Sequence, residues 1–482
     1  MAGRGSLIVI LGFSIVFGIA SMYWNRTSNQ ATTNYIDYYD TTTAYNIALA
    51  AANIMCDTVY FAGWGDSTIS MATKNFAGGL PDSTRGTYTI KNSTVWYRGC
   101  EYVLAMAIGT YITTIGDTDR DTVQVLFEPR NFAGYADFSQ NENGLPWMPG
   151  DTINGPFHTN DALDIDSTSD GYPIFTQKAS SVGNINQASY GNDSRIFRKG
   201  YQHGGATNVT MPNSLTSLLN NASSSGTFSG PAADTGSSYA YDVYLTFKDS
   251  NGTGWVTITD TTRKKSGSTW ISPTNTVNKT VTLSSLADSN GQAIIAVTDG
   301  DVHVNGKLRG SATVVANKGR RNTSTITTDM YFNGSKGTNI SGEDGNVLID
   351  GSIQYHDNLG NNPNYSGNDM LGLVGYDNVA IDIPNNTSGV SVDAAVFAMT
   401  GDWTNLRYNS QGYQGYIFLL GSITNQNRGQ VQDGGIDPKK LPSNPGGNGY
   451  LKSYNFDTRF YNGSPPLYPA AVKPFQIVSW RE

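Results

Sequence analysis

Three alternating aspartates are the side chains in this sequence that are best placed to do chemistry. Asp117, Asp119 and Asp121 stand at every second position of one short polar segment. Carboxylate oxygens are the ligands that calcium prefers. Thr122 occupies the position where an EF-hand loop needs glycine, and the residues after it alternate like a strand. We therefore expect an acidic turn, with a calcium-stiffened turn as the alternative and no other cofactor.

Signatures of the common enzyme classes are missing from the sequence. It contains no Gly-x-Ser-x-Gly, no His-Glu-x-x-His and no Gly-x-x-x-x-Gly-Lys-[Ser/Thr] segment. Glycoside hydrolysis needs a pair of carboxylates, although aspartates in turns also serve a purely structural role. The carboxylates that could supply such a pair are Asp299, Asp301, Glu343, Asp344 and Asp350. We expect a non-enzymatic protein and keep a carbohydrate-active enzyme as the third alternative.

Three aromatic side chains in the C-terminal half of the chain could contact sugars. Trp403, Tyr408 and Tyr413 follow one another closely in a segment rich in Asn, Gly and Gln. Aromatic faces stack on sugar rings, but they also fill cores. Core packing is therefore the alternative interpretation for each of them.

Length and charge narrow the class of protein. The chain has 482 residues, a formal net charge of -8 and only 15% charged residues. That length predicts two or three structural units. Nucleic acid is not an expected partner, because binding phosphates requires clusters of Lys and Arg. The abundance of Gly, Asn, Ser, Thr and Tyr is typical of turn-rich β structure.

The N terminus carries one apolar segment from Ser6 to Trp24. Its length is about what a helix needs to cross a bilayer. Arg4 precedes the segment, which favours a cytoplasmic N terminus. A cleavable secretory signal ending near Gly18-Ile19-Ala20 is the alternative. Both interpretations place the rest of the chain outside the cytoplasm, in the cell envelope or in an extracellular filament.

A long amphipathic pattern follows the apolar segment. Gly and Pro are absent between Gly18 and Gly63, and apolar or aromatic residues recur at spacings of three and four. This pattern predicts a helix to about Cys56, with a packing seam that lies against its own domain or against neighbouring copies. The seam consists of Tyr35, Tyr38, Thr42, Tyr45, Leu49 and Ala52.

The two cysteines of the chain, Cys56 and Cys100, both lie in the part expected to be exported. Because that compartment is oxidising, we expect a disulfide between them. Two buried thiols are the alternative.

The remaining sequence predicts β structure in several segments. Tyr241 to Phe247 and Trp255 to Thr259 flank Asn251-Gly252, which predicts a hairpin. Units of the form Gly-x-Val-x-[Val/Ile]-x-Gly, such as the one that begins at Gly300, predict stacked coils of a β-solenoid. The fold class is therefore α+β, mostly β. The expected segments are a helix at 1–56, an antiparallel sheet at 57–135, first coils at 136–204, an inserted linker and hairpin at 205–290, and a solenoid with a C-terminal tail at 291–482.

The N terminus resembles type IV pilin-like proteins, especially minor pilins. The resemblance rests on an apolar helix that follows Gly-Arg-Gly-Ser and continues into the segment Ala50-Ala51-Ala52-Asn53. In that family a peptidase cuts after a glycine, which implies cleavage between Gly5 and Ser6. Ile10 stands where the family has a glutamate.

The rest of the chain resembles an uncharacterised bacterial surface family that joins a pilin-like N terminus to a β-solenoid ectodomain. The segments that carry this resemblance are Gly-Pro-x-His-Thr-Asn-Asp at 155–161, the Gly-x-Val coils, Asp369 to Val374, and a tail with Pro465, Pro466 and Trp480. The resemblance of the N terminus to pilin-like proteins implies a structural subunit of a surface filament or secretion pseudopilus, and the large ectodomain favours the minor or tip type.

Its partners would be the membrane and, through the N-terminal helix, other pilin-like subunits or copies of itself. A surface glycan or protein is a further candidate ligand. The alternative is a membrane-anchored adhesin that does not polymerise, which the absence of the pilin glutamate favours.

Overall fold

The computed structural model describes most of the chain in two compact units. The described ranges are 3–62, 71–76, 85–97, 100–113, 116–166, 171–187, 193–230, 239–266, 269–270, 275–288, 291–317, 345–358, 361–433, 446–461 and 463–481. Unit 1 comprises residues 1–95, 102–128 and 473–482, and unit 2 comprises residues 96–101 and 129–472.

The elements follow one another along the chain as one long helix and then many strands. The helices are α1 (Gly3–Ala62), α2 (Asp193–Ile196) and α3 (Thr216–Asn221), with 3-10 turns at Phe132–Gly134, Leu283–Leu286 and Thr458–Tyr461. The first strands are β1 (Met71–Asn75), β2 (Gly86–Tyr97), β3 (Cys100–Ile112), β4 (Thr118–Asn131), β5 (Asp137–Asn141), β6 (Thr152–Asn154), β7 (Phe157–Thr159), β8 (Leu163–Ile165), β9 (Ile174–Phe175), β10 (Ala179–Ser181), β11 (Ile185–Gln187), β12 (Tyr201–Gln202) and β13 (Thr227–Ser229).

The later strands are generally longer. They are β14 (Tyr239–Ser250), β15 (Thr253–Ser266), β16 (Thr269–Trp270), β17 (Asn275–Thr282), β18 (Ala293–Thr298), β19 (Asp301–Leu308), β20 (Ser311–Asn317), β21 (Val347–Tyr355), β22 (Met370–Gly375), β23 (Val379–Ile381), β24 (Val390–Asn405), β25 (Tyr413–Arg428), β26 (Gln432–Asp433), β27 (Asn448–Phe456) and β28 (Ala470–Arg481). One long helix followed by large sheets confirms the predicted α+β, mostly β class.

Unit 1 packs helix α1 on a five-stranded sheet. The strand order is β1-β2-β3-β4-β28, so the C-terminal segment supplies an edge strand. Strand β1 pairs antiparallel with β2, and β3 pairs antiparallel with β4. The helix contributes small and medium apolar side chains to the core, including Ala48 and Met55, which pack with Val103 and Val125 of the sheet. Small side chains on both surfaces let the helix approach the strands closely.

Unit 2 is built mainly from parallel strand pairs. One series, stack A, has the spatial order β13, β18, β20, β22, β24, β25, β5, β7, β10 and β12. Each strand in it pairs in parallel with the next. Runs of Val, Ile and Ala in these strands are buried on both faces, as expected for parallel strands.

Two further series lie beside stack A. Stack B has the order β14, β19, β21, β23, β24 and β25, and stack C has the order β19, β21, β24, β25, β27, β6 and β9. Long strands such as β24 and β25 contribute successive segments to more than one stack. Parallel stacking of this kind is what the predicted solenoid coils require.

The order of the stacks does not follow the order of the chain. Strand β25 pairs with β5, and β27 pairs with β6, so late strands of unit 2 pair directly with its first strands, a contact that we call the junction. On one side of this junction, stack A continues through β7, β10 and β12. On the other side it ends at β13, the strand that follows β12 in the chain. The inserted region expected at 205–290 is therefore part of the stack, since β13 and β14 pair in parallel with β18 and β19.

The structure divides the chain differently from the predicted segments. The expected helix and pilin-like sheet form unit 1 together with residues 473–482, which the sequence analysis placed in a solenoid tail. The three later segments join in unit 2. Helix α1 also runs to Ala62, beyond the end expected near Cys56.

We predict that Gly109→Ala destabilises unit 1. A Cβ atom at Gly109 would collide with the backbone of Ala44 and Ala48 in helix α1, so helix and sheet would have to separate. We expect the free energy of unfolding to fall by about 1–3 kcal/mol, measured by urea unfolding followed by circular dichroism. Gly134→Ala is the control, because its new Cβ meets no atom within 4 Å. Equal effects of the two substitutions would contradict close helix–sheet packing.

Candidate functional site

The first candidate region is the uncovered part of helix α1. Every residue from 5 to 39 is exposed, including the predicted cleavage position between Gly5 and Ser6. By length and composition this helix is apolar enough to cross a membrane, with a mean hydropathy of 2.2 in its most apolar window. The apolar segment is compatible with a single membrane anchor.

The helix buries a face that only partly matches the predicted seam. Tyr35 and Tyr38 are 70% and 71% exposed, Thr42, Tyr45 and Leu49 are half-buried, and Ala52 is buried. Among the described side chains of α1, the buried ones are Asp40, Ala44, Ile47, Ala48, Ala51, Ala52, Met55 and Val59. The aromatic start of the predicted seam is therefore not used inside unit 1.

The predicted disulfide has no support in the structure. Cys56 is a free, half-buried thiol, and burial raises its pKa to about 11. The side chain of Cys100 lies outside the described residues. The pairing of the two cysteines stays a prediction.

The three alternating aspartates do not converge. Asp117 is exposed in the turn before β4, and its backbone amide donates to Thr113 Oγ1 at 3.0 Å. Asp119 and Asp121 lie on β4, where Asp121 Oδ1 accepts from the backbone amide of Thr122 at 2.7 Å. Within the described ranges, no group of three or more His, Cys, Asp or Glu side chains could hold a metal ion. The calcium site stays a prediction without structural support.

One of the carboxylates considered for glycoside hydrolysis has a structural role. Asp301 Oδ1 accepts hydrogen bonds from the backbone amides of Gly345 and Asn346 and from Asn346 Nδ2, at 2.7–3.1 Å. These contacts connect two neighbouring coils. Glu343 and Asp344 lie outside the described residues.

A cleft of about 570 Å³ opens on unit 2 and is the second candidate region. Its volume falls in the range of small-molecule sites. The lining residues come from four segments, which are the turn after β5, the residues directly before β23, β24 with the turn that follows it, and the end of β25 with the residues after it. They are Asn143, Leu145, Asp377, Asn378, Thr400, Gly401, Asp402, Thr404, Leu406, Tyr408, Asn427, Arg428, Gly429 and Gln430.

Strand register aligns polar residues across this cleft. Asp402 pairs with Asn427 in the parallel register of β24 and β25, and Asn378 Oδ1 accepts from the Asp402 backbone amide at 2.8 Å. A Cβ atom at Gly401 would collide with the side chains of Asn378 and Asp377, so glycine is needed for this approach. Neighbouring strands are about 4.8 Å apart, and the polar groups therefore repeat at that spacing.

Some polar groups of the cleft are engaged inside the fold and others are not. Thr404 Oγ1 donates to the backbone oxygen of Gln430 at 2.7 Å, and Thr400 Oγ1 donates to Tyr376 O at 2.8 Å. In the part of the chain that the structure describes, the Tyr408 hydroxyl and the side-chain amide of Gln430 make no hydrogen bond. Both groups are therefore available to a ligand.

The charge of the cleft is negative. Burial raises the pKa of Asp402 to about 6, against the opposing effect of its hydrogen bond with Asn427. Asp377 also lines the cleft. Arg428 does not supply a free positive charge, because its guanidinium contacts Glu142 Oε2 at 3.2 Å and donates to Leu145 O at 2.6 Å.

Arg428 belongs to a set of buried charges, the junction cluster, which we define as Arg428, Glu142, Lys452, Asp151 and Asp137. The Arg428 guanidinium lies 3.9 Å from the ring centroid of Trp147, and Lys452 Nζ lies 2.9 Å from Asp151 Oδ2. Both cations lie on β25 and β27, late in the chain, and all three carboxylates lie in or directly beside β5 and β6, the first strands of the stacks in chain order. The junction cluster thus lies at the contact between these late and first strands.

Asp137 is the most strongly perturbed carboxyl of the junction cluster. Burial and the nearby Glu142 carboxylate together raise its pKa to about 8, and the cations Arg428 and Lys452 oppose the shift. Within the described residues its Oδ1 atom has no hydrogen-bond partner. Asp137 therefore holds a proton in the folded protein at neutral pH.

No family model matches the chain, and comparisons with curated proteins and with solved structures find no match.

Of the residues that line the cleft, Tyr408 was predicted from the sequence as a candidate for sugar contact. Trp403, named with it, is buried and donates from Nε1 to the Tyr454 hydroxyl at 3.0 Å, so the core-packing alternative holds for Trp403. The other lining residues were missed. Asp402 and Gln430 carry no local signal, since they meet the cleft only through pairing of distant strands.

We predict that Arg428→Met destabilises unit 2 strongly. The substitution leaves the Glu142 carboxylate, whose side chain is 1% exposed, without its cation. Breaking one partner of a buried ion pair costs about 3–5 kcal/mol, which urea unfolding would measure. Arg198→Met, at an exposed position of the same unit, is the control and should change stability by less than about 0.5 kcal/mol. Indistinguishable unfolding of the two variants would contradict the role of the junction cluster.

We predict that stability falls as pH rises from about 4 to about 8, and that Asp137 is one cause. The folded pKa of Asp137 is raised above the ordinary value of 3.8, so over this range the folded state holds a proton that the unfolded state has released. Asp137→Asn cannot ionise, and its urea midpoint should therefore fall less between pH 5 and pH 8 than that of the wild type. Asp433→Asn, at an exposed position, should keep the wild-type slope. A wild-type slope in Asp137→Asn would refute the assignment.

Proposed function

We propose that this chain is a non-enzymatic, pilin-like structural subunit of a surface filament or secretion pseudopilus, of the minor or tip type. The observation that carries the proposal is the exposure of helix α1 along residues 5–39, while only the later part of the helix packs in unit 1. Because the sheet of unit 1 does not cover this part of the helix, the exposed part can serve for anchoring and assembly.

The exposed part of the helix is longer than a membrane needs. Residues 5–39 extend about 52 Å at 1.5 Å per residue, and about 20 apolar residues suffice to cross a bilayer. The part beyond Trp24 is polar but carries Tyr35, Ile36, Tyr38 and Tyr39, which are 43–71% exposed. Large apolar side chains grouped on one exposed surface typically mark a protein contact.

Packing among equivalent helices would cover these aromatic side chains. Before assembly the apolar segment would anchor the subunit in the membrane, with the chain that follows this segment outside the cytoplasm. After cleavage between Gly5 and Ser6 the same helix would pack against the helices of neighbouring subunits. This sequence of steps needs no catalytic group in the chain.

The test is the intact and N-terminal mass of the protein recovered from membranes and from sheared extracellular material. We predict a chain that starts at Ser6 in the sheared fraction. Tyr35→Ala combined with Tyr38→Ala should lower the amount in the sheared fraction about tenfold, because assembly loses aromatic contacts. Gln30→Ala combined with Asn34→Ala changes exposed polar residues of the same helix and should leave the amount unchanged.

Two results would contradict a filament subunit. One is an uncut chain confined to membranes, which favours the anchored binding module. The other is a chain that starts at Ser21, since that cut removes the membrane helix.

A membrane-anchored binding module that does not polymerise is the second candidate function. The cleft of unit 2 favours it, because the cleft presents unengaged polar groups on the part of the chain that would face outward. Ile10, in place of the pilin glutamate, favours it as well. The β-solenoid interpretation of unit 2 is common to both functions and is supported by its parallel stacks.

A further inference from the structure

We propose that the cleft of unit 2 binds a short stretch of a neutral glycan chain. The inference rests on the outward display of unit 2 that both proposed functions share, and it specifies which chemistry that surface recognises. The cleft is defined by the lining residues given above and has a volume of about 570 Å³.

The first argument is the type of polar group in the cleft. Sugar hydroxyls both donate and accept hydrogen bonds, and carboxylates, amides and hydroxyls satisfy them. The side chains of Asp402, Gln430 and Tyr408 supply one group of each kind. Within the described residues, those of Gln430 and Tyr408 have no internal hydrogen bond. Half-buried polar groups without partners gain most from a ligand that supplies them.

The second argument is the spacing of the polar groups. Asp402 and Asn427 lie opposite each other on the paired strands β24 and β25, and Asn378, directly before β23, accepts from the backbone amide of Asp402, so the three side chains follow one another about every 4.8 Å along the stack. This repeat is comparable with the length of one sugar ring in a linear glycan. A chain lying along the stack would meet a similar set of groups at each ring.

The negative charge of the cleft disfavours acidic ligands. Asp377 and Asp402 make the cleft negative, and the Arg428 guanidinium is occupied by Glu142 and by the backbone oxygens of Leu145 and Pro146. A glycan with carboxylate or sulfate groups would meet repulsion without a free cation to bind. Neutral hexoses and N-acetylhexosamines meet no such barrier.

The fourth argument favours a glycan over a peptide. An extended peptide binds through pockets for alternating side chains or through an open strand edge. The lining is instead mostly short polar side chains and glycine, and its aromatic member is Tyr408. One aromatic ring among amide and hydroxyl groups suits stacking on a sugar face.

The experiment measures binding of the full-length protein in detergent to a panel of neutral oligosaccharides that covers hexoses and N-acetylhexosamines. Hexagalacturonate serves as the acidic probe, and an uncharged Ser/Gly peptide serves as the peptide probe. We expect at least one neutral probe to bind with a Kd below about 1 mM, and its Kd should be insensitive to salt because no ion pair forms.

The variants locate the binding. Tyr408→Ala and Gln430→Ala should each raise the Kd about tenfold, through loss of stacking and of hydrogen bonds. Tyr461→Ala is the matched control, because Tyr461 is 55% exposed in unit 2 and does not line the cleft. Asp402→Asn removes one negative charge from the cleft, so it should weaken the rejection of hexagalacturonate and lower the Kd for that probe. Circular dichroism and urea unfolding establish that each variant is folded.

Three results would overturn the proposal. They are no binding of any neutral probe, binding that Tyr408→Ala and Gln430→Ala leave unchanged, and preferential binding of the acidic or peptide probe in the cleft. None of these results depends on the start of the chain in sheared material, so the glycan proposal and the filament proposal fail independently.

Discussion

The pairing of late strands of unit 2 with its first strands is the constraint on which unit 2 depends. Strands β25 and β27 pair with β5 and β6, and the cations of the junction cluster meet carboxylates 286 and 301 residues away in the sequence. Without this contact the stack would separate into two pieces, each with an open strand edge. The pairing therefore decides whether unit 2 has one continuous core.

The buried charges of this contact also define its geometry. Burying charges is costly, and an apolar contact of the same shape would often be as stable. Arg428, however, contacts Glu142, two backbone oxygens and the face of Trp147 at once, which only one strand register permits. The same register brings residues 143–145 beside residues 427–430 and so completes the cleft. The junction cluster, which defines the strand register, thus also positions the residues that line the cleft.

Local patterns in the sequence were sufficient to predict individual elements. The three-and-four spacing predicted helix α1, and Asn251-Gly252 predicted the hairpin of β14 and β15, where both residues have positive φ. The Gly-x-Val units predicted strands such as β19. Each of these signals lies within a single segment of the sequence and predicts the conformation of that segment alone.

Pairing between distant segments could not be predicted in the same way. Alternation along a strand indicates a buried face but does not identify the neighbouring strand, so neither the junction nor the placement of β28 in unit 1 was predicted. The cleft was missed for the same reason, because its residues come from four separate segments. Tyr408 was found since its residue type alone suggests sugar contact, whereas Gln430 has no such signal.

The junction also decides how a pulling force would pass through the protein. The main segment of unit 2 begins at residue 129 and ends at residue 472, and Phe132 N donates to Pro469 O at 3.4 Å near these two ends. Entry and exit are thus neighbours, and tension applied through unit 1 is carried by a few residues on either side of the junction. Strands far from the junction lie outside that load path, so a pull applied through unit 1 would not unwind the stacks strand by strand from a free end.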